Sequence, residues 1–514
     1  MRIEGGLLLA TMLMALSAGA DECADLSQTQ LPNVQINAAS LQAEQILQPD
    51  ANSGLTGSGV TENTIGAHCL VEGKIEDRQG VNGQYGIRFQ LRLPTTWNGR
   101  LMFQGGGGMD GFIAPAIGAV PSNGSSAVPS LSRGYAVVSM DGGHDGHDAE
   151  FAYDQQARLD LAYASIGKVT HVAKALIDSY YDQALEHSFF MGCSNGGREA
   201  MMAAQRFPLE FDGIVAGNPG FHLSAAAIAQ AWDVKQLMGI APNGVLSQAL
   251  TQADLDAVSQ EILKACDAND GITDGIVATP SQCNITLDDM PNILTEEKMA
   301  ALKAVMAGPH NSLGNALYSD WPLDPAINTA GWRLWKLGFS ETEQPDALNV
   351  LIGRESLPKL FITPPLAELP QNINFDTISA QVAEIGALND ATSTYLSTFA
   401  YNGGKMVIFH GMADPVFSAN DITKWYEKAT SNTKDDFAQL YLVPGLTHCG
   451  GGQAFDDFDP LTILENWVIN GEKVTQMPAK STVFKGKSMP ICAYPQEAYY
   501  TGDDPNDIAS YSCK

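Results

Sequence analysis

The stretch Phe189-Phe190-Met191-Gly192-Cys193-Ser194-Asn195-Gly196-Gly197-Arg198 constrains this chain more than any other. A short apolar run, read as a buried strand, is followed by a good helix former from Arg198 to Gln205. Between them lies Gly-x-Ser-x-Gly. Small residues on both sides of a serine permit the sharp strand-to-helix turn that exposes a nucleophile. Ser194 then sits at a helix N-terminus, where backbone N–H groups face an anion.

The flanking sequence supplies the sheet that such a turn needs. Ile87–Leu93 alternates apolar and polar residues, and Arg100–Gln104 and Tyr135–Met140 read as further strands. A long helix spans about Leu159–Tyr181, and Gly213–Gly217 is another buried strand. Residues 21–66 read as polar and irregular, with one short helical patch from Ala38 to Leu47. Near Phe221 the alternation stops, and helical pieces, turns and scattered tryptophans follow. It resumes near Ser397 with a strand at Lys405–His410, a helix at Ala419–Ala429, a strand at Ala438–Val443 and a closing helix at Leu461–Ile469. Apolar central strands alternating with helices indicate an α/β sheet covered on both faces. The expected organisation is a leader over 1–20, a first core segment over 21–220, an inserted lid domain over 221–395 and a second core segment over 396–514.

A serine nucleophile needs a base within hydrogen-bond reach and an acid to orient that base. Asp414 follows the strand ending at Phe409, and His448 follows the strand ending at Val443. Their order and their strand-end positions fit a Ser, Asp, His sequence of function. His410, also at a strand end, reads as a pocket or packing residue. The run Asp141 to Asp148, with His144 and His147, reads as a polar turn rather than a metal cluster. Gly105 to Gly108 lacks phosphate-loop spacing; an N–H from this turn, with that of Asn195, would face a developing oxyanion.

Cysteine usage and charge bound the setting. Arg2, the apolar Leu7–Leu16 and Ala18-Gly19-Ala20 read as a signal peptide, so export to a periplasm or the medium is expected. Eight cysteines suit an oxidising compartment. Local spacing favours Cys266–Cys283 and Cys492–Cys513, leaving Cys193–Cys449 and Cys23–Cys69. Cys193 precedes the serine and Cys449 follows the histidine, so a bridge would hold the two side by side; two buried free thiols are the other reading. With 29 basic and 58 acidic residues the net charge is −29, which excludes nucleic acid and anionic membranes as natural partners. Asp267, Asp270 and Asp274 crowd one short loop. Carboxylates so placed repel unless solvated or neutralised, and hard oxygen ligands suit calcium; an acidic turn is the alternative.

Gly-Cys-Ser-x-Gly-Gly with a later His-Cys and an intervening Asp resembles the tannase/feruloyl esterase family, and especially its bacterial terephthalate-monoester hydrolase-like members. Trp97-Asn98-Gly99-Arg100, the glycine loop, Asp141-Gly142-Gly143-His144 and the Cys266 loop extend the likeness over most of the chain. The resemblance implies an α/β-hydrolase core with a large inserted lid, a disulfide between the positions beside the catalytic Ser and His, and structural calcium in the lid. By position it implies Ser194, Asp414 and His448 as catalytic residues, and Gly108 and Asn195 as the oxyanion hole. It implies Asp267, Asp270 and Asp274 as calcium ligands, with carbonyls of Ile272 and Ile276. Leu223, Trp335, His410 and Phe417 match positions that line an aromatic pocket. The terephthalate-monoester members hold a free carboxylate with a lid arginine; here Arg354 is out of register. The expected activity is hydrolysis of small aromatic esters such as feruloyl or galloyl esters. A terephthalate-monoester or general aryl esterase is the nearer rival, and a catalytically silent calcium-dependent binding protein the more distant one.

Overall fold

A computed structural model describes residues 20–47, 50, 52–59, 63–370 and 372–514. The expected leader lies almost wholly outside the described residues. Nine strands form one sheet: β1 (Val34–Gln42), β2 (His68–Gln79), β3 (Gln84–Pro94), β4 (Arg100–Gln104), β5 (Ala136–Met140), β6 (His187–Cys193), β7 (Gly213–Gly217), β8 (Lys405–Gly411) and β9 (Ala438–Val443). Their order is β1-β2-β3-β5-β4-β6-β7-β8-β9. β1, β2, β3 and β5 pair antiparallel in succession; from β5 onward every neighbour is parallel.

The pleat sorts the apolar runs to two faces. Phe103, Phe190, Ile214 and Ile408 point to one, where they meet helices α1 (Ser165–Tyr180), α2 (Asn195–Arg206) and a later helix carrying Ile422 and Trp425. Met102, Phe189, Val215 and Val407 point to the other, against Leu461, Leu464 and Trp467. Runs without polar alternation are therefore what a doubly covered sheet requires.

From Leu223 to Tyr401 no strand is found among the described residues. This helical insertion packs a core of its own, including Leu255, Ile262, Leu302, Val305 and Trp332, and closes onto Val416 and Phe417 of the sheet's C-terminal edge. Among the described residues, no helix is long and apolar enough to cross a membrane.

One local expectation fails, and one strand was not foreseen. Ala38–Leu47 is not helical: it lies in β1 and in a short strand, Gln45–Leu47. Pairing with β2 overrides the weak helix propensity of Ala38-Ala39, because the ladder satisfies backbone groups that an isolated short helix leaves open. β2 is an addition, though Cys69, Val71, Gly73 and Ile75 alternate inward as a strand should. The four expected disulfides are all formed: Cys23–Cys69, Cys193–Cys449, Cys266–Cys283 and Cys492–Cys513.

Candidate active site

β6 ends at Cys193, and α2 begins at Asn195. Ser194 between them adopts φ 61° and ψ −123°, a conformation that a non-glycine residue holds only under the constraint of its surroundings. Two glycines permit it. A Cβ on Gly192 would lie 2.5 Å from the carbonyl carbon of Gly196, and one on Gly196 would lie 2.6 Å from the Gly106 oxygen.

His448 Nε2 lies 2.9 Å from Ser194 Oγ, and its Nδ1 lies 2.9 Å from Asp414 Oδ2. An ionised carboxylate can only accept, so Nδ1 carries the proton and Nε2 is left to accept from the serine. Asp414 is fully buried and heavily bonded. Its Oδ1 accepts from the amides of Val416 and Phe417, and its Oδ2 also accepts from Asn218 Nδ2 at 2.7 Å. Burial acts to raise the Asp414 carboxyl, but His448, His410 and the Asn218 amide outweigh it and hold it below its ordinary value. The aspartate therefore stays ionised against the imidazole.

Cys193–Cys449 brackets this chain of bonds, with Cα atoms 6.1 Å apart. Gly108 and Asn195 border the same space as Ser194. The Asn195 amide belongs to the first helical turn, where no intrahelical acceptor exists.

A cavity of about 540 Å³ opens at Ser194 and His448, lined by Leu55, Leu334, Trp335, Leu348 and Ile352 among others. A narrower slot of about 40 Å³ adjoins it between Leu223, Trp335, Ile352, Phe361, Val416 and Phe417. Trp335 and Phe417 set their ring edges against His448, with centroids 5.2 and 5.4 Å away. Leu223, Trp335 and Phe417 line the same slot as Ser194. His410 does not. It is fully buried behind Asp414, with Nε2 2.9 Å from the Phe417 carbonyl, because its place on β8 turns it into the sheet rather than toward the cleft. Arg354 is exposed and lines neither space. A larger cavity, about 980 Å³, lies between the insertion and the C-terminal strands, away from Ser194.

Asn218, Gln230 and Ser356 are additions to the site. Asn218 stands just past the end of β7, where functional residues of parallel sheets gather, so strand-end position was its signal. Gln230 and Ser356 lie on the insertion and had none.

A model of the family described as tannase and feruloyl esterase matches residues 69–514. The chain belongs to the tannase and feruloyl esterase family. It is a carboxylic ester hydrolase with the α/β-hydrolase fold. Among its relatives, the mono(2-hydroxyethyl) terephthalate hydrolase of Piscinibacter sakaiensis is 37% identical over 511 residues, covering 87% of this chain and 84% of that one. A probable feruloyl esterase of Arthroderma benhamiae is 26% identical, with 96% and 93% covered. The crystal structure of feruloyl esterase B from Aspergillus oryzae shares the fold of this esterase with a TM-score of 0.79 at 20% identity, covering 96% of this chain and all of that one.

Elsewhere in the esterase, Asp267, Asp270 and Asp274 share one tight loop. Asp267 accepts from the amides of Asp274 and Gly275, and Asp270 from that of Ile272. Among the described residues Asp274 Oδ1 has no partner, and Lys487 reaches its other oxygen at 3.3 Å. Among the described residues, no three acidic, histidine or cysteine side chains already converge as a metal would require. The Asp141–Asp148 turn is structural: Arg88 pairs with Asp141 at 2.5 Å, and the His144 ring stacks on Phe151.

Proposed function

We propose that this chain is an exported serine esterase that cleaves esters of aromatic, phenolic acids through an acyl-enzyme. The observation that carries the reading is the hydrogen-bonded line Ser194–His448–Asp414 at the mouth of an apolar slot. His448 takes the Ser194 proton as Oγ attacks the ester carbonyl, and Asp414 stabilises the imidazolium that results. The carbonyl oxygen becomes an oxyanion facing the amides of Gly108 and Asn195. Collapse expels the alcohol, which receives the proton from His448. Water then repeats the sequence in reverse and frees the acid.

The slot supports an aromatic acyl group. Trp335 and Phe417 offer flat faces and edges to a ring, and Gln230 and Ser356 are polar side chains in a mostly apolar wall. Among the described residues, no lysine or arginine lines either space at Ser194. A neutral hydroxyl therefore suits this wall better than a carboxylate, whose burial without a cation is costly. The likeness to the terephthalate-monoester hydrolase favours a second reading, turnover of that monoester, and the same cavity argues that it is the weaker activity.

Calcium fits the Cys266 loop in part. Asp267, Asp270 and Asp274 would supply carboxylates, the orphaned Asp274 Oδ1 among them, and Ile272 and Ile276 carbonyls. The ion would neutralise the loop's repulsion. Four disulfides are consistent with export into an oxidising compartment.

Ser194→Ala is expected to abolish hydrolysis of a chromogenic feruloyl ester and labelling by a fluorophosphonate, with circular dichroism unchanged. Turnover retained by the variant would overturn the assignment. Comparing kcat/KM for methyl ferulate, methyl gallate and the terephthalate monoester decides the acyl group; preference for the monoester would favour the second reading.

A further inference from the structure

Beneath the glycine loop that borders Ser194, two carboxyl groups meet, and no cationic side chain among the described residues bonds either. Asp110 and Glu199 are both fully buried. Asp110 Oδ1 accepts from the Gly107 amide at 3.1 Å and from Asn195 Nδ2 at 2.8 Å. Glu199 Oε2 accepts from the Gly106 amide at 3.0 Å. The other oxygen of each, Asp110 Oδ2 and Glu199 Oε1, has no donor among the described residues, and the two side chains stand within hydrogen-bonding reach of each other. Arg198 lies close by but spends its N–H groups on neutral acceptors: Asn195 Oδ1 and the carbonyls of Leu161, Ala162 and Asn389.

Two carboxylates cannot both ionise at this distance in a dry site. A proton held by one of them and donated to the other supplies a hydrogen bond where two bare carboxylates would repel. On these grounds we infer that Asp110 and Glu199 share a single proton, and that this acid–carboxylate pair is the positioning element that sets the spacing of the two oxyanion-hole amides. The inference rests on the esterase reading of Ser194 for its catalytic consequence, though not for the proton itself.

The connection to the reaction is short. One amide, that of Gly108, belongs to the loop; the other, that of Asn195, belongs to α2. Asp110 Oδ1 bonds both sides, through Gly107 and the Asn195 side chain, and Glu199 anchors Gly106 from the helix. The pair therefore clamps loop to helix. Burial, then the charge of Glu199 and the hydrogen bond to it, push the Asp110 carboxyl well above the ordinary carboxylate range; Asn195 and Arg198 oppose this without reversing it. Gly142, in the turn after β5, closes the remaining side, since even a Cβ there would lie 2.9 Å from Asp110 Oδ2. Folded Asp110 keeps its proton to a higher pH than an unfolded carboxyl does. The folded state thus binds more protons in that window, and stability falls as pH rises through it. Loss of the shared proton leaves two anions, and the loop separates from the helix.

Infrared difference spectroscopy of wild type against Asp110→Asn at neutral pH tests the proton directly, independent of activity. The carbonyl stretch of a protonated, buried carboxylic acid should be present in the wild type and lost in the variant. Its absence from the wild type would overturn the inference. Kinetics with a chromogenic aromatic ester test the clamp. Asp110→Ala should lower kcat by about 10–100-fold, below the full loss of an oxyanion donor, with KM changed by less than about threefold. Asp110→Asn, whose amide can donate to Glu199 as the shared proton does, should recover most of that kcat and flatten the alkaline limb of the pH profile. If Asp110→Ala does not fold, Glu199→Gln and Glu199→Ala pose the same comparison from the other side. Equal losses from amide and alanine variants would show that the proton does not matter. Turnover surviving Ser194→Ala while the wild-type infrared band is present would overturn the esterase reading and leave the shared proton standing.

Discussion

The disulfide between Cys193 and Cys449 joins the residue before Ser194 to the residue after His448, across 256 positions of sequence. Both half-cystines are buried, and Cys449 has a positive φ of 58°. The turn carrying the serine and the loop carrying the histidine are therefore one covalent unit, and Gly57 packs against it so closely that a Cβ there would lie 2.6 Å from the Cys449 Cβ.

Replacing both half-cystines by alanine is expected to cost about 2–5 kcal/mol of stability, as removal of a native disulfide does. Because the bridge aligns serine and base, kcat should fall as well, with KM less affected. Chemical denaturation and steady-state kinetics on Cys193→Ala/Cys449→Ala read the two effects separately; unchanged kcat would show that the hydrogen bonds alone hold the alignment.

Trp335 is held from behind. Its neighbour Lys336 is fully buried, 2.5 Å from Asp233 Oδ2 on the Leu223–Met238 helix, with its Nζ 4.3 Å from the Trp321 ring centroid. Burial pushes the Asp233 carboxyl up to about 6, and Lys336 opposes the rise. Lys336→Met leaves that carboxyl buried without its partner, which should cost about 3–5 kcal/mol and raise KM for aromatic esters as Trp335 shifts. Thermal unfolding and KM measurements check both; an unchanged KM would detach this ion pair from substrate binding.

The acid side of the stability curve has a named contributor. Arg78 grips Asp154 through both terminal nitrogens, at 2.9 and 2.5 Å, and Asp154 also accepts from the amides of Val81 and Ala157. The hydrogen bond with Arg78 is the main cause that lowers the Asp154 carboxyl to about 2. A folded-state value below the unfolded one contributes stability above about pH 4 that is lost as pH falls toward 2. Arg78→Met should therefore be less stable than wild type at neutral pH by about 1–2 kcal/mol, and the gap should narrow below pH 4. Urea unfolding at a series of pH values measures it; a constant gap would assign the loss to packing alone.

Calcium is expected to raise the melting temperature of the chelator-treated protein, and saturation to about 100 times Kd corresponds to about 2.7 kcal/mol. Asp270→Asn should abolish that response while leaving Ser194 reactive toward a fluorophosphonate. A melting temperature indifferent to calcium and chelator would remove the ion from the proposal.

Much of the candidate site was legible because each part lies at a strand end in a local pattern. Gly192 to Gly196 declares the turn, and Asp414 and His448 follow apolar runs whose length and composition mark them as central strands. Asp110, Glu199, Gln230 and Ser356 carry no such mark. An aspartate after a glycine loop and a glutamate within a helix look like ordinary solvated residues until the fold buries them together. The strand Val34–Gln42 was hidden for a related reason, since its ladder partner rather than its own propensity decides its conformation.

Sequence alone thus determined the alternating sheet, the serine turn and the strand-end placement of Ser194, Asp414 and His448, because these follow from short-range periodicity and glycine placement. Only the tertiary structure decided what those groups touch. It set Asp414 under four backbone and side-chain donors, turned His410 away from the cleft, left Arg354 in solvent, and brought two carboxyl groups 89 positions apart into one dry site beneath the glycine loop. Burial and partner choice are properties of the packed molecule, and they depend on elements far apart in the chain.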